Sequence, residues 1–100
     1  MQTMLQAISN PTRRRILQLV WEQELPAREI ADQFSISWPA VSQNLRILKN
    51  SELLEERRSG VKRFYRVNQS KAKPIAQLLQ AMWQEDLQTL KDIVEGNTDD

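Results

Sequence analysis

Leu25-Pro-Ala-Arg-Glu-Ile-Ala-Asp-Gln-Phe-Ser-Ile-Ser-Trp-Pro-Ala-Val-Ser-Gln-Asn-Leu-Arg-Ile-Leu48 holds two amphipathic segments separated by a very short break. In the first, Pro26 stands where a helix can begin without losing a hydrogen bond, and Ile30, Ala31 and Phe34 fall on one inward face. In the second, Ser37 is a good N-cap, Pro39 lies in the first turn, and Val41, Leu45 and Leu48 recur at i, i+4, i+7. A turn this tight admits only a near-perpendicular helix pair, so a helix-turn-helix is expected over about 26–50. At about 100° per residue, the outer face of the second helix carries Pro39, Gln43, Arg46 and Asn50, with Ser42 at its margin. That face has amide, hydroxyl and guanidinium groups and no acid. Gln and Arg are the side chains best shaped to bond base edges bidentately in a major groove. The bland alternative is a solvated face, which would more often mix in acid–base pairs at (i, i+4).

On the C-terminal side, residues 53–58 and 61–67 flank Ser59-Gly60, a pair that supplies the positive φ of a tight hairpin. Val61, Arg63, Tyr65 and Val67 share one face of the second strand, and Lys62, Phe64 and Arg66 the other. Neither face is cleanly apolar. A small ribbon with a projecting tip fits this pattern, with Arg58, Lys62 and Arg63 near the tip, where they suit phosphate or minor-groove contact. A solvated charged hairpin is the alternative. On the N-terminal side, Asn10 caps a helix with Pro11 at its first position and Ile16, Leu17 and Val20 inside. Met4, Leu5 and Ile8 mark a short helix before it. Five helical segments and one hairpin are therefore expected. The fold class is mainly α (α+β): a winged helix-turn-helix with a two-stranded β-wing and N- and C-terminal dimerisation helices. The expected layout is one DNA-binding domain over 1–95, with dimerisation helices at about 2–9 and 72–95, the wing at 53–67 and a disordered tail at 96–100.

The chain of 100 residues is 40% hydrophobic and 27% charged, ordinary values for one globular domain. Its net charge is only +1, but the charge is unevenly spread. Between positions 57 and 73 there are seven basic residues and no acid; between 74 and 100 there are six acids and only Lys91 against them. A local basic field is what steers a polyanion, so the small net charge does not count against nucleic acid. Absence of cysteine and histidine removes disulfides, thiol redox sensing, Cys/His zinc sites and nucleophile–histidine catalysis. No apolar run approaches the roughly 18 residues that would span a bilayer, and the first eight residues lack the pattern of a secretory signal. No membrane insertion and a cytoplasmic location are expected.

In the last segment the apolar positions Ile75, Leu78, Leu79, Met82, Trp83, Leu87, Leu90, Ile93 and Val94 are spaced by one, three or four. They make a stripe wider than one small domain needs to cover. With Leu5 and Ile8 of the first helix, the residues Leu79, Met82, Trp83, Leu87 and Leu90 form a candidate two-fold interface, with Met82 and Trp83 as anchors. Folding of this helix onto its own domain alone is the alternative.

Asn10-Pro-Thr-Arg-Arg-Arg-Ile-Leu17, Glu29-Ile-Ala31, Ser37-Trp-Pro-Ala-Val-Ser-Gln-Asn-Leu45, Leu53-Leu54 and Gly60-Val-Lys-Arg-Phe-Tyr-Arg-Val67 together resemble the ArsR/SmtB family of bacterial repressors. The likeness is close over about 4–70 and only one of layout beyond. It implies a homodimer that binds double-stranded DNA at a pseudo-palindromic operator and represses transcription. By that resemblance Trp38, Pro39, Ser42 and Gln43 occupy groove-reading positions, while Arg46, Arg58, Lys62 and Arg63 lie where backbone contacts are expected. Many members hold metal through thiolates at the start of the third helix, or zinc through His and carboxylates on the last. Here the first stretch, 24–30, has no such ligand, and the last helix offers only Glu85, Asp86, Asp92 and Glu95, a poor transition-metal set. The chain thus resembles the metal-independent branch, with no cofactor expected. Three further departures concern recognition. Trp38 replaces a frequent Gln and either touches DNA or packs between the two helices. Asn44 stands where His is common, a neutral change. Ser35 takes the place of a usual Gly, at roughly 1 kcal/mol if the turn stays left-handed.

A winged-helix module for protein–protein contact is the second reading, because fold does not fix function. An enzyme has almost no support: no base of suitable pKa, no nucleophile elbow and no glycine-rich phosphate loop accompanies the serines and acids. Without thiols or imidazoles, release of such a regulator from DNA would fall to a small ligand, a partner protein or simple changes in its own concentration.

Overall fold

A computed structural model describes residues 3–96, with side chains through residue 88. Helix α1 (Met4–Ala7) is a single turn closed by a capping box: the Thr3 hydroxyl accepts from the Gln6 N–H, and the Gln6 amide oxygen accepts from the Thr3 N–H. Helix α2 (Pro11–Leu19) begins as expected, with the Asn10 side chain accepting from the Arg13 N–H at 3.2 Å and Pro11 in its first turn. Its buried residues are Ile16 and Leu17, joined in the core by Val20 just beyond it.

Strand β1 (Leu25–Pro26) was not expected from the sequence. It pairs antiparallel with β3 (Lys62–Val67), which pairs in turn with β2 (Leu54–Ser59), giving a three-stranded sheet of order β1-β3-β2. The wing therefore has a third strand, and Pro26 ends that strand and serves as N-cap residue of α3 (Ala27–Ala31) instead of opening that helix. Proline is tolerated there because an edge strand and a helix start both leave its missing N–H unneeded.

Helix α4 (Trp38–Asn50) starts at Ser37, whose hydroxyl accepts from the Ala40 N–H, and buries Val41, Leu45 and Leu48. The turn before it incurs no strain at Ser35, because among the described non-glycine residues only Glu52 takes a positive φ, of 68°. That residue belongs to the end of α4. The Leu53 N–H bonds the Leu48 carbonyl at 3.0 Å and the Glu52 N–H bonds the Lys49 carbonyl at 3.0 Å. This double closure around one left-handed residue is a Schellman motif, with Leu48 and Leu53, both fully buried, as its apolar contact.

The C-terminal part, expected as one helix over 72–95, is broken into α5 (Gln69–Ala72), a 3₁₀ turn (Lys73–Ile75) and α6 (Ala76–Gly96). Pro74 explains the break, since it removes a donor from the ladder. Helix α6 includes Gly96, the last described residue, and the rest of the expected tail, 97–100, lies outside the described residues.

Helix α6 docks on α2 through a polar clasp. The Arg14 guanidinium donates to both Asp86 oxygens at 2.8 and 2.7 Å and to the Ile8 carbonyl at 2.9 Å. The Trp83 indole N–H donates to the Arg14 carbonyl at 2.8 Å, and its ring meets Trp21 edge to face at 5.3 Å. Ile8 and Leu79, placed in a dimer interface by the sequence reading, are 1% and 0% exposed inside their own domain. They have no surface left for a second copy. Trp83 and Met82 also pack against this core, so their first role is to seat α6 on its own domain. The Leu90 side chain lies outside the described ones.

Two outcomes follow for stability. Glu52→Gly is expected to raise unfolding stability by about 0.5–1 kcal/mol, because glycine relieves a left-handed backbone and only an exposed pair with Lys71 at 3.5 Å is lost; denaturant titration measures this, and a loss of stability would contradict it. The Arg14 hydrogen bonds, with its charge adding, hold the Asp86 carboxyl below its ordinary pKa against the opposing effect of burial. A lowered folded-state pKa contributes stability above the unfolded value of about 3.9 and loses it as pH falls through the folded one. The stability gap between wild type and Asp86→Asn is therefore expected to be full at neutral pH and to shrink below about pH 4; a gap that does not change with pH would show that the pairing is not what holds α6.

Candidate nucleic-acid interface

The outward face of α4 is set by its inward one. With Val41, Leu45 and Leu48 buried, helical geometry leaves Pro39, Gln43, Arg46 and Asn50 exposed and Ser42 half-buried. Trp38 is 53% exposed, which decides between its two sequence readings: the ring does not fold back between the helices. Among the described residues neither the Gln43 nor the Arg46 side chain has a hydrogen-bond or ion-pair partner. Their donors and acceptors are thus available to a ligand without first breaking an internal bond.

The sheet sorts the wing's cations onto two faces. Directly opposed residues of an antiparallel pair share a face, and the register is Glu55↔Arg66, Glu56↔Tyr65, Arg57↔Phe64, Arg58↔Arg63 and Ser59↔Lys62. One face carries Leu54, Tyr65 and Val67 in the core at its base, then Glu56, Arg58 and Arg63 towards the tip. The other carries Glu55, Arg57, Phe64 and Arg66, with Lys62 at the tip. On this second face Arg57 and Arg66 are neutralised, and Lys62 is the remaining cation. Arg57 is paired with Glu24 at 2.7 Å and lies over the Phe64 ring at 4.6 Å, and Arg66 is paired with Glu55 at 3.0 Å.

On the first face they do not cancel. The Glu56 side chain is only 9% exposed and receives three cations: Lys49 Nζ at 2.5 Å, Arg63 Nε at 3.6 Å and Arg58 Nε at 3.8 Å. The hydrogen bond from Lys49 comes first among the causes that hold this carboxyl below the usual range; burial opposes it, and the charges of Lys49, Arg63 and Arg58 add to it. Three cations against one carboxylate leave a surplus of two positive charges beside α4. A compact positive surface of this kind, next to exposed amide and guanidinium groups, suits a phosphate backbone flanking a groove.

Of the sequence-predicted residues, the structure brings Arg58 and Arg63 together as a cross-strand pair, whereas Lys62 sits on the opposite face of the ribbon, reaching the same region only at the tip. Lys49, which joins this cluster through Glu56, was not among the sequence-predicted residues. Its signal was present, since Ser42, Arg46 and Lys49 follow i, i+4, i+7 along α4. Asn44 was read as neutral, yet its side chain accepts a hydrogen bond from Arg13 at 3.1 Å. Of the residues that the sequence assigns to a dimer interface, Leu5 and Leu87 are 60% and 65% exposed.

Among the described residues no cluster of three or more His, Cys, Asp or Glu side chains could hold a metal ion, and the chain has no thiol or imidazole to serve a transition metal. The donor set does not fit the metal sites that the family resemblance implies for other members. Nor is any described helix long and apolar enough to cross a membrane.

Comparison with known proteins bears on this geometry directly. Residues 10–56, which span α2, β1, α3, α4 and the start of the wing, match the sequence pattern of the bacterial regulatory protein, arsR family. The transcriptional repressor SdpR of Bacillus subtilis is 41% identical over 68 residues, which are 68% of this chain and 76% of that protein. A crystal structure of a possible transcriptional regulator for arsenical resistance superposes with a TM-score of 0.71 at 31% identity, covering 90% of this chain and 94% of the other. The homodimeric winged helix-turn-helix DNA-binding domain from Mycobacterium bovis, solved in solution, gives a TM-score of 0.67 at 32% identity, covering 79% and 73%. With the helix-turn-helix and its wing matched in sequence and in space, the chain belongs to the ArsR family of bacterial regulatory proteins and is a DNA-binding transcriptional regulator, not an enzyme.

Proposed function

We propose that the protein is a homodimeric repressor that lays α4 in successive major grooves of a pseudo-palindromic operator and sets its wing on the flanking backbone. The observation that carries this reading is the unpartnered, acid-free face of α4 beside the Glu56-centred cations of the wing. In it Trp38, Pro39, Ser42 and Gln43 face base edges, and Arg46, Arg58 and Arg63 face phosphates, with Lys62 at the tip and Lys49 added by the geometry. Two modules joined by symmetry would read half-sites about one helical turn apart. The relatives' names and the homodimeric neighbour support this reading. Without thiol or imidazole ligands, release from DNA falls to an effector other than a transition metal, a small organic molecule or a protein.

Selection from a random duplex pool at physiological salt tests it. Enrichment of an inverted repeat is expected; folded protein that enriches nothing, or only a single half-site, would overturn the operator reading. On the selected site, Arg46→Ala is expected to weaken binding on every sequence and to lower the salt slope by about one unit. Gln43→Ala is expected to relax preference at one position per half-site, by about 1–3 kcal/mol. Equal losses from both on every sequence would mean that α4 does not enter the groove as described.

For the dimer, light scattering of the wild type is expected to give twice the chain mass at micromolar concentration. Leu87 sits about 80° around α6 from the buried Leu79, at the edge of the inward stripe, and Leu5 is exposed on α1. Leu87→Glu is expected to weaken association at least about tenfold, since two-fold symmetry counts the substitution twice. A monomeric wild type would remove the symmetric half of the proposal.

A further inference from the structure

Arg13 lies where α1, the start of α2 and α4 meet, and all three of its guanidinium nitrogens are engaged. Its Nε donates to the Ala7 carbonyl at 2.6 Å and its Nη2 to the Gln6 carbonyl at 3.1 Å, two acceptors at the end of α1. Its Nη1 donates to the Asn44 side-chain oxygen on α4 at 3.1 Å. Carbonyls at a helix C-terminus have no partner within the helix. Ser9 already donates to the Gln6 carbonyl through its N–H at 3.2 Å and its hydroxyl at 2.6 Å, so the fork adds a further donor there, bonds the Ala7 carbonyl and ties α1 to α4 in one step. Asn44 is the residue next to the exposed Gln43, on the flank of α4 that faces α1 and not its outer face. The burial of Val41, Leu45 and Leu48 sets which face of α4 turns inward; the fork adds a polar link that bears on how far α4 stands from α1 and on its fine rotation. α1 also carries the exposed Leu5.

We propose that Arg13 and Asn44 are positioning residues that transmit the geometry of the dimer interface to the recognition helices, and so set the half-site spacing the protein accepts. This rests on the dimeric operator reading above. A rigid link makes the second half-site binding event nearly intramolecular, and its benefit is lost when the two helices no longer match the DNA repeat. The fork shape matters, because a lysine ammonium cannot reach three acceptors spread over two helices.

The test uses the full chain with Arg13→Lys and, as the gentler change, Asn44→Ala, which leaves both bonds to α1 in place. Each is measured on the selected operator, on operators with one base pair inserted or removed between half-sites, and on a duplex bearing one half-site. Both variants are expected to stay dimeric by light scattering and to bind the single half-site within about twofold of wild type, while losing about tenfold on the full operator. The wild type's penalty for altered spacing is expected to flatten in both. Equal loss on one and two half-sites would assign Arg13 and Asn44 to direct DNA contact or general stability and overturn the proposal. Variants that keep the wild type's sharp spacing preference would overturn it as well, with the dimeric reading intact. A wild type indifferent to spacing would overturn the dimeric reading first and the positioning role with it.

Discussion

The arrangement of this molecule hangs on the chain reversal at 51–53. Leu48 and Leu53 close the end of α4 across one left-handed residue, and both side chains go to the core. Buried Ser51 adds its hydroxyl to the Leu48 carbonyl at 2.9 Å, and the Leu53 carbonyl accepts from the Asn68 N–H at 2.9 Å. Recognition helix, first wing strand and exit from the last strand are thus bonded within a few residues of one another. Burial of two leucines is worth roughly 3–6 kcal/mol in transfer terms, several times the cost of about 1 kcal/mol for a left-handed Glu52. The strain is tolerated because the apolar contact outweighs it. With the reversal fixed, Glu56 can only lie alongside Lys49, and the wing can only project beside the outer face of α4.

Charge is distributed by the same geometry. A chain with a net charge of +1 presents a cationic surface because its acids are placed selectively. Glu24 and Glu55 neutralise Arg57 and Arg66 on the face of the sheet turned away from Glu56, and Asp86 pairs with Arg14 at the α2–α6 seam. Among the described residues, only Glu56 lies among the cations beside α4. Seven bases in seventeen positions looked like one patch in the sequence; strand alternation splits them, and the neighbours on the sheet decide which remain in surplus.

Much of this was legible beforehand, for a physical reason in each case. Period 3.6 in Val41, Leu45 and Leu48, with Ser37 and Pro39 at the start, is strong local information, and the helix it predicts is present. Ser59-Gly60 marks the hairpin equally well, with Gly60 at a φ of 63°. Strand β1 was hidden because two residues, one a proline, carry no period. The break at Pro74 was missed because the apolar spacing of 75–83 runs smoothly up to it. Ile8 and Leu79 were assigned to an interface because a helical stripe does not say which part of its width the chain's own domain will use. Asn44 could not be understood from its own neighbours in sequence, since its partner is 31 residues away.

The position of Glu56 raises a problem of sign, since a carboxylate under a DNA-facing surface should repel DNA. At roughly 8 Å and an effective dielectric of about 20, one phosphate–carboxylate pair costs about 2 kcal/mol before salt screening. At that separation, about one Debye length, screening lowers it, though less for a mostly buried carboxylate than for an exposed one. Against it stands side-chain order: each long side chain frozen at an interface costs about 0.5–1.5 kcal/mol. Glu56 is hydrogen-bonded to Lys49 and within 4 Å of Arg58 and Arg63, so part of that ordering is done before any ligand arrives. The two effects are of similar size and opposite sign. On the proposed reading, the carboxylate therefore contributes little to the strength of binding and much to its direction: it holds three flexible cations on one side of a narrow ribbon, beside the helix whose position they would register on the backbone.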